Sequence, residues 1–311
     1  MKDYKKYLES KNLAKSTQEA YSRNVKLFTE WYGNELINCT KKDILKYLEY
    51  LQTSKNQENI TRRNSLIALN HYFTYLAINK QVAQNPTSLI KIRGTHKRHL
   101  YSIYTAEEMQ ALLDNYYHMY IRTFDDSHIP KNQRQQSFLS RHRNHAMLGI
   151  LINQGLSTSE LQKINLPDVD LNKATIRVAG GKKSNARTIP LAASQIGSLM
   201  QYINTIRPQF TQYCTESERL FFALPESSKQ KTSTTNLMHT FKPLTKQVKE
   251  IDNNLVNFKQ VRASVITHWL KTEGLRKTQY LAGHRHISST ENYQPNNLDG
   301  LIDDITKFNP F

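Results

Sequence analysis

Apolar residues recur at helical spacing through the first eighty residues of the chain. Residues 16–32 carry a single apolar stripe of Ala20, Tyr21, Val25, Phe28 and Trp31. Ser16, with Glu19 three positions later, predicts a capping box at the start of this helix, and Gly33 predicts its end. Residues 41–53 and 60–79 repeat the period, and a shorter helix precedes them. The pattern predicts a bundle of about four helices.

The pattern changes in the second part of the chain. Thr105, followed by two glutamates and an apolar run, predicts a helix start, whereas residues 125–142 are polar without a period and are predicted to form an exposed loop. Residues 174–179 and 186–191 read as two short strands joined by the turn GGKKSN. The remaining apolar periods predict helices over 143–154, 192–206, 233–250, 259–273, 275–282 and 298–308.

Length and composition fit two soluble domains. The chain has 311 residues, of which 38% are hydrophobic, and one core rarely grows beyond roughly 250–300 residues. No apolar run reaches the ~18 residues of a membrane span, so no membrane partner is expected. Two widely separated cysteines favour a reducing cytoplasm. We therefore predict a mainly α fold with a small β-hairpin: a helical domain over 1–83, a basic linker over 84–104 and an α+β domain over 105–311.

A large positive charge indicates an anionic partner. The formal net charge is +17, and the first 104 residues alone hold 18 Lys and Arg against 8 Asp and Glu. Nucleic acid is the commonest polyanion that such a soluble chain meets, although the charge could also serve only to keep the protein dispersed. Basic residues in the linker could follow a phosphate backbone or belong to a solvated spacer.

Four motifs follow one another in the second domain. They are GLSTSEL at 155–161, GGKKSNARTIPL at 180–191, KQVRASVITHWL at 259–270 and LAGHRHISSTENY at 281–293. Their order and spacing resemble the catalytic domain of the tyrosine recombinases, the phage integrase family. Tyr293 stands nine residues after His284, and Arg262 stands 22 residues before it, as the family places them. The helical first domain resembles the core-binding, SAM-like domain of the same family.

The resemblance implies a metal-free transfer of a DNA phosphodiester to a tyrosine, without nucleotide or other cofactor. Tyr293 would be the nucleophile and form a 3′-phosphotyrosyl link. Lys182, or Lys183 beside it, would protonate the departing 5′-oxygen, while Arg262 and His284 would hold the nonbridging oxygens. Such a reaction needs a nucleophile, a proton donor and fixed cations around the phosphorus.

Two positions depart from the family pattern. Ser157 stands where the family has its first arginine, and serine cannot replace a bidentate guanidinium. Lys259 stands in place of a histidine but keeps a donor. Lys183, Arg141 or Arg143 could supply the missing charge. Separately, we expect Glu160 to pack or to pair structurally, and Arg187 to support the hairpin in preference to contacting the phosphate.

The expected partner is double-stranded DNA. Candidate DNA-binding residues, besides the hairpin lysines, are Arg62, Arg63, Lys91, Arg93, Lys97 and Arg98. The resemblance also implies a tetramer on two DNA sites, with the amphipathic segment 298–308 contacting a neighbouring protomer or its own domain. The sequence leaves three alternatives: a degenerate relative that binds DNA and regulates without cleaving it, a type IB topoisomerase, and a helical DNA-binding protein with accidental motifs.

Overall fold

A computed structural model of the chain describes residues 2–94, 101–182, 184–214, 217–224 and 237–294. The chain divides into two units, Met1–His99 and Leu100–Phe311. Each unit has its own hydrophobic core. The fold is mainly helical with one small antiparallel sheet, which confirms the predicted fold class.

Four helices form the first unit, as the hydrophobic pattern predicts. They are α1 (Lys2–Ser10), α2 (Lys15–Tyr32), α3 (Lys41–Thr53) and α4 (Asn59–Ile78). The predicted capping box at Ser16 is wrong, because α2 begins one residue earlier and Ser16 lies in its first turn. A capping box instead begins α3, where Thr40 and Asp43 bond each other's backbone N–H groups.

Aromatic side chains fill the core of this unit. Phe28 is fully buried; its ring lies 5.6 Å from that of Tyr32 and meets Tyr47 edge-on at 4.9 Å. Phe73 of α4 closes the cluster from a third helix. Such ring pairs add to the gain from burying apolar area, so the stripe read from the sequence helps to hold the helices together.

Residues 85–94, predicted to be linker, lie against α4. Asn85 and Thr87 both bond the side chain of Asn70, and Asn59 donates to the carbonyl of Arg93 at 3.0 Å. Ile90 and Ile92 are partly buried against the first core. The start of the predicted spacer is therefore fixed on the first unit.

Two long helices organise the core of the second unit. A Thr105–Glu108 capping box confirms the predicted start of α5 (Ala106–Tyr117). Residues 125–130 lie outside any helix, as predicted, but the loop predicted over 131–142 is wrong, because α6 runs unbroken through Lys131–Gln154. The Gln and Arg residues that hid the period there are good helix formers, and Pro130 is tolerated just before a first turn.

A three-stranded antiparallel sheet lies beside α7 (Thr158–Leu161). Strands β2 (Thr175–Val178) and β3 (Arg187–Pro190) confirm the predicted hairpin, with Ile176 opposite Ile189. The sequence missed β1 (Val169–Asp170), which pairs with β2 and is too short to show an alternating pattern. The predicted helix 298–308 lies outside the described residues.

The remaining helices follow the sheet in chain order. They are α8 (Ala193–Gln201), α9 (Met238–Ile251), α10 (Phe258–Thr272), α11 (Gly274–Ala282) and α12 (Ile287–Glu291). A π-helical turn (Tyr202–Ile206) and a 3-10 helix (Arg207–Gln212) extend α8. Within the described part of the chain, no helix is both long enough and apolar enough to span a membrane.

Phe28→Ala should destabilise the first unit by about 3–5 kcal/mol, because it empties a buried aromatic site. The measurement is urea unfolding followed by Trp31 fluorescence in a Trp269→Phe background. Leu27→Ala is the matched control, since Leu27 precedes Phe28 and is 49% exposed. Equal losses from the two variants would contradict an aromatic core centred on Phe28.

Candidate active site

The turn after α6 forms the first edge of the site. Gly155 ends α6 in the left-handed region at φ +55°, and Ser157 caps α7. The Ser157 N–H donates to Glu160 Oε2 at 2.9 Å, and the Ser157 hydroxyl lies 2.8 Å from the same oxygen. Ser157 therefore orients the Glu160 carboxylate at this position.

Glu160 bridges two arginines from separate elements. Its Oε1 accepts from Arg187 of β3 at 2.7 Å, and its Oε2 accepts from Arg262 of α10 at 3.1 Å. The Arg187 side chain is fully buried, and those of Glu160 and Arg262 are nearly so. The expected structural pairing of Glu160 and the expected support of the hairpin by Arg187 are thus confirmed.

Arg262 is held on three sides. Besides Glu160, it donates to the carbonyl of Gly155 at 2.7 Å and to the carbonyl of Ala282 at 2.8 Å. Lys259 lies one turn earlier on α10 and is exposed, with its N–H bonded to Asn257. Residues three apart share a helix face, so both cations lie on one side of α10.

His284 joins this arginine to the predicted nucleophile. Its Nε2 lies 3.5 Å from Nη2 of Arg262, and its ring stacks on that of Tyr293, with centroids 5.7 Å apart and planes 13° apart. Its Nδ1 lies 2.9 Å from Oγ1 of the buried Thr290. The structure therefore brings Arg262, His284 and Tyr293 together, with His284 in the middle.

The hairpin turn that carries Lys182 is attached to the same segment. Ser184 forms a β-bridge with His284, and the Asn185 N–H donates to the Gly283 carbonyl at 2.9 Å. Arg285 donates to the carbonyl of Gly181 at 3.0 Å. Lys182 follows Gly181 and is exposed, so the turn presents it beside the His284 segment. Lys183 lies outside the described residues.

Burial and charge set the ionisation of the site. Burial alone would raise the pKa of Glu160, but the hydrogen bond from Arg187, the charges of both arginines and the Ser157 N–H lower it to about 2. Burial, followed by the charges of Arg262 and Arg187, lowers the pKa of His284 to about 4. Near neutral pH the site therefore contains a carboxylate, two guanidinium groups and a neutral imidazole.

Two alternatives for the missing arginine are wrong. Arg143 is buried and donates to the carbonyl of Phe222, and Arg141 is buried over the ring of Phe124 at 3.8 Å. Neither can reach a phosphate at Ser157 from these positions. Sequence reasoning also missed Thr290; its place in the polar run SST, three residues before Tyr293, gave no signal that it contacts His284.

The DNA-binding candidates of the first unit separate into two groups. Arg63, Lys91 and Arg93 line one groove of about 690 Å³. Arg62 instead donates to the carbonyl of Leu48 at 3.0 Å and to Asn59. Lys97 and Arg98 lie outside the described residues. Among the described residues, no three His, Cys, Asp or Glu side chains are placed to hold a metal ion.

Comparison with known proteins gives the family. The sequence profile of the phage integrase family matches residues 129–298, and that of the phage integrase N-terminal SAM-like domain matches residues 1–84. The first match contains all four motifs and covers more than half of the chain. The protein therefore belongs to the phage integrase family and is a tyrosine recombinase.

Relatives match along the whole chain. It is 25% identical over 317 aligned positions to the tyrosine recombinase XerD of Staphylococcus epidermidis, covering 100% of this chain and 98% of the relative. It is 29% identical to XerD of Staphylococcus aureus, covering 94% and 92%. The fold resembles XerH bound to its difH substrate in a post-cleavage complex, with 18% identity, a TM-score of 0.66 and coverage of 93% and 80%. It also resembles the Tn1549 transposon integrase in complex with transposon right end DNA, with 16% identity, a TM-score of 0.64 and coverage of 98% and 98%.

Gly283→Ala should destabilise the second unit by at least about 2 kcal/mol. A Cβ at Gly283, which has φ +71°, would lie 2.3 Å from Nη1 of Arg187. Gly197→Ala in α8 is the matched control, because a Cβ there meets nothing within 4 Å and alanine favours a helix. Thermal unfolding of both variants measures the difference, and an unchanged midpoint for Gly283→Ala would show that Arg187 does not need this position to be glycine.

The stabilisation due to the Glu160 carboxylate should depend on pH. Because folding lowers its pKa from 4.5 to about 2, the carboxylate stabilises the fold fully above about pH 4.5 and progressively less as the pH falls toward 2. Glu160→Gln should therefore lose about 3 kcal/mol of unfolding free energy at pH 7, and the difference from wild type should shrink below pH 4.5. Urea unfolding between pH 7 and 3 measures it, with exposed Glu291→Gln as the control. A constant difference across this range would contradict the assignment.

Proposed function

We propose that the protein is a site-specific DNA recombinase that exchanges strands through a 3′-phosphotyrosyl intermediate at Tyr293. One observation carries the proposal: the Tyr293 ring stacks on His284, whose Nε2 faces the guanidinium of Arg262. A phosphate bound against these groups would meet the nucleophile and two donors at once. Membership of the phage integrase family supports the same chemistry.

The cleavage step needs only groups of this chain, the DNA and water. The Tyr293 oxygen bonds to phosphorus as the bond from phosphorus to the 5′-oxygen breaks. The phenol proton passes to water, and Lys182 donates a proton to the departing oxygen, so protons balance. A free phenol has a pKa of about 10, so nearby cations assist the attack by stabilising the developing negative charge. Arg262 and His284 donate to the nonbridging oxygens.

The two departures from the family pattern fit this scheme. Arg187 neutralises Glu160, so the positive charge of Arg262 remains uncompensated and can attract the phosphate. Ser157 holds the carboxylate in place of contacting the phosphate itself. Lys259, exposed on the same side of α10 as Arg262, adds a second cation toward the DNA backbone.

The first unit would hold the DNA as a core-binding domain. Arg63, Lys91 and Arg93 line one groove and provide adjacent positive charges for a phosphate backbone. Lys97 and Arg98 continue this set in the sequence, and Lys183 would contact the DNA from the hairpin turn of the second unit. Residues 1–83 would form this domain, 84–104 the basic segment that follows it, and 105–311 the catalytic domain.

Full recombination would require an assembly. Lambda integrase, which this chain resembles with 16% identity and a TM-score of 0.59, has been solved as a tetramer bound to a Holliday junction, and the structurally similar Tn1549 protein is a transposon integrase. We extend both to this chain: four protomers act on two DNA sites of a mobile element in the cytoplasm. Segment 298–308 would then contact a neighbouring protomer.

The test is capture of a covalent protein–DNA adduct. The protein is incubated with a pool of nicked suicide duplexes of randomised sequence, and adducts that survive denaturant are recovered and sequenced. Wild type should form an adduct through a 3′-phosphate, and Tyr293→Phe should form none, because phenylalanine has no nucleophilic oxygen. Recovered sequences would also define the DNA site.

Tyr117→Phe provides the matched control. Tyr117 is 43% exposed on α5, away from the four motifs, and its variant should form the adduct at the wild-type rate. If wild type binds duplexes without forming an adduct, the protein is a DNA-binding regulator and the recombinase proposal fails. An adduct that survives in Tyr293→Phe would assign the nucleophile to another residue.

A further inference from the structure

Thr290 contacts both His284 and the predicted nucleophile segment. The residue is fully buried in α12. Its Oγ1 lies 2.9 Å from Nδ1 of His284, and its carbonyl accepts the N–H of Tyr293 at 3.0 Å. A single buried residue thus fixes the imidazole through its side chain and the nucleophile through its backbone.

The other nitrogen of His284 faces a group that can only donate. Nη2 of Arg262 lies 3.5 Å from Nε2, and a guanidinium has no acceptor. A neutral imidazole has one N–H and one lone pair. Without phosphate, the favourable tautomer has its lone pair on Nε2, toward Arg262. Its proton is then on Nδ1 and is donated to the hydroxyl of Thr290.

Phosphate binding requires the opposite arrangement. To donate to a nonbridging oxygen, Nε2 must carry the proton, and Nδ1 must then accept a hydrogen bond. A partner at Nδ1 that satisfies both states has to donate as well as accept. A hydroxyl can do both, whereas a carbonyl or a carboxylate can only accept.

We propose that Thr290 is a positioning residue whose hydroxyl lets His284 change tautomer when a phosphate oxygen binds against both Nε2 of His284 and Nη2 of Arg262. One proton leaves Nδ1 to solvent and another arrives at Nε2 from solvent, so the charge of the ring does not change. The Thr290 hydroxyl reverses from acceptor to donor, and the imidazole keeps its place against Tyr293. The inference rests on the proposed function, because it assumes that the site receives a phosphodiester.

The surroundings of His284 favour a neutral ring. Arg262 and Arg187 face it from α10 and β3, Glu160 faces it from α7, and the Tyr293 ring stacks on it. Burial and the two arginines, opposed only by Glu160, lower its pKa to about 4. A protonated imidazole would donate from both nitrogens and need no switch, so neutrality is what makes the Thr290 hydroxyl necessary.

Two variants distinguish the effect of the Thr290 hydroxyl on adduct formation from the effect of Thr290 packing. Thr290→Val keeps the branched shape and loses the hydroxyl, whereas Thr290→Ser keeps the hydroxyl and loses a methyl group. We expect Thr290→Val to form the suicide adduct at least about tenfold more slowly than wild type, equivalent to about 1.4 kcal/mol. Thr290→Ser should stay within about threefold of wild type. If Thr290→Ser forms the adduct more slowly than Thr290→Val, the proposal is overturned, because packing and not the hydroxyl would then determine the rate.

Thr278→Val is the matched control. Thr278 is equally buried in α11, and its hydroxyl has no hydrogen-bond partner among the described residues. If losing a buried hydroxyl has no general effect, Thr278→Val should form the adduct at the wild-type rate. A Thr278→Val defect as large as that of Thr290→Val would mean that no specific contact with His284 is involved.

Nitrogen-15 NMR of the histidine side chains tests the switch directly in the full chain. The His284 signals are assigned by comparison with His284→Gln. The ligand is a duplex of a sequence recovered in the adduct experiment, bound to the Tyr293→Phe variant so that it is not cleaved. The proton should be on Nδ1 in the free protein and on Nε2 in the complex. One tautomer in both states would overturn the proposal, even if Thr290→Val failed to fold.

Failure of the recombinase proposal can be distinguished from failure of the Thr290 proposal. If wild type forms no adduct, the recombinase proposal fails, and the NMR comparison is made with inorganic phosphate instead. A tautomer change with phosphate would then support the Thr290 switch in a phosphate-binding site that does not cleave DNA. No change would overturn the switch as well.

Discussion

The site depends on one carboxylate placed between two guanidinium groups. Arg187 is fully buried, and a buried charge is costly unless it is paired and hydrogen-bonded. Glu160 provides that pairing and uses its second oxygen for Arg262. Since Arg187 belongs to β3, Glu160 to α7 and Arg262 to α10, this pair of contacts fixes three elements that are far apart in sequence. The hairpin, the capped turn and the arginine helix therefore hold one relative geometry.

The same contacts explain how the chain tolerates Ser157. A serine at the N-cap of α7 bonds Glu160 through both its N–H and its hydroxyl. The three buried charges near it, two positive and one negative, still sum to one positive charge. A phosphate approaching Arg262 therefore meets net attraction without a guanidinium at 157. Because position 157 has no guanidinium for a bidentate contact, the proposed reaction would depend on a good orientation of Arg262 and His284.

Local signals predicted much of the fold but only part of the site. Motif order and spacing predicted that Arg262, His284 and Tyr293 belong together, and the aromatic stripe of α2 predicted the first core. The apolar period failed over 131–142, where a polar sequence without a stripe still forms a helix that continues into the buried part of α6. The contact of Thr290 with His284 could not be read from the sequence, because it depends on how the chain turns after Gly283. Burial of Arg141 and Arg143 likewise depends on packing across the unit.

The turn after Gly283 fixes one side of the site and leaves the other accessible. The His284 N–H donates to the Gln279 carbonyl, and the Gln279 side chain donates back to the His284 carbonyl. With Thr290 at its side chain and Ser184 bridging its backbone, His284 is constrained from three directions. Tyr293 follows at the end of α12 and stays partly exposed. In the proposed reaction the DNA would bring its phosphate from outside to the accessible phenol, and these hydrogen bonds would hold His284 in place to receive it.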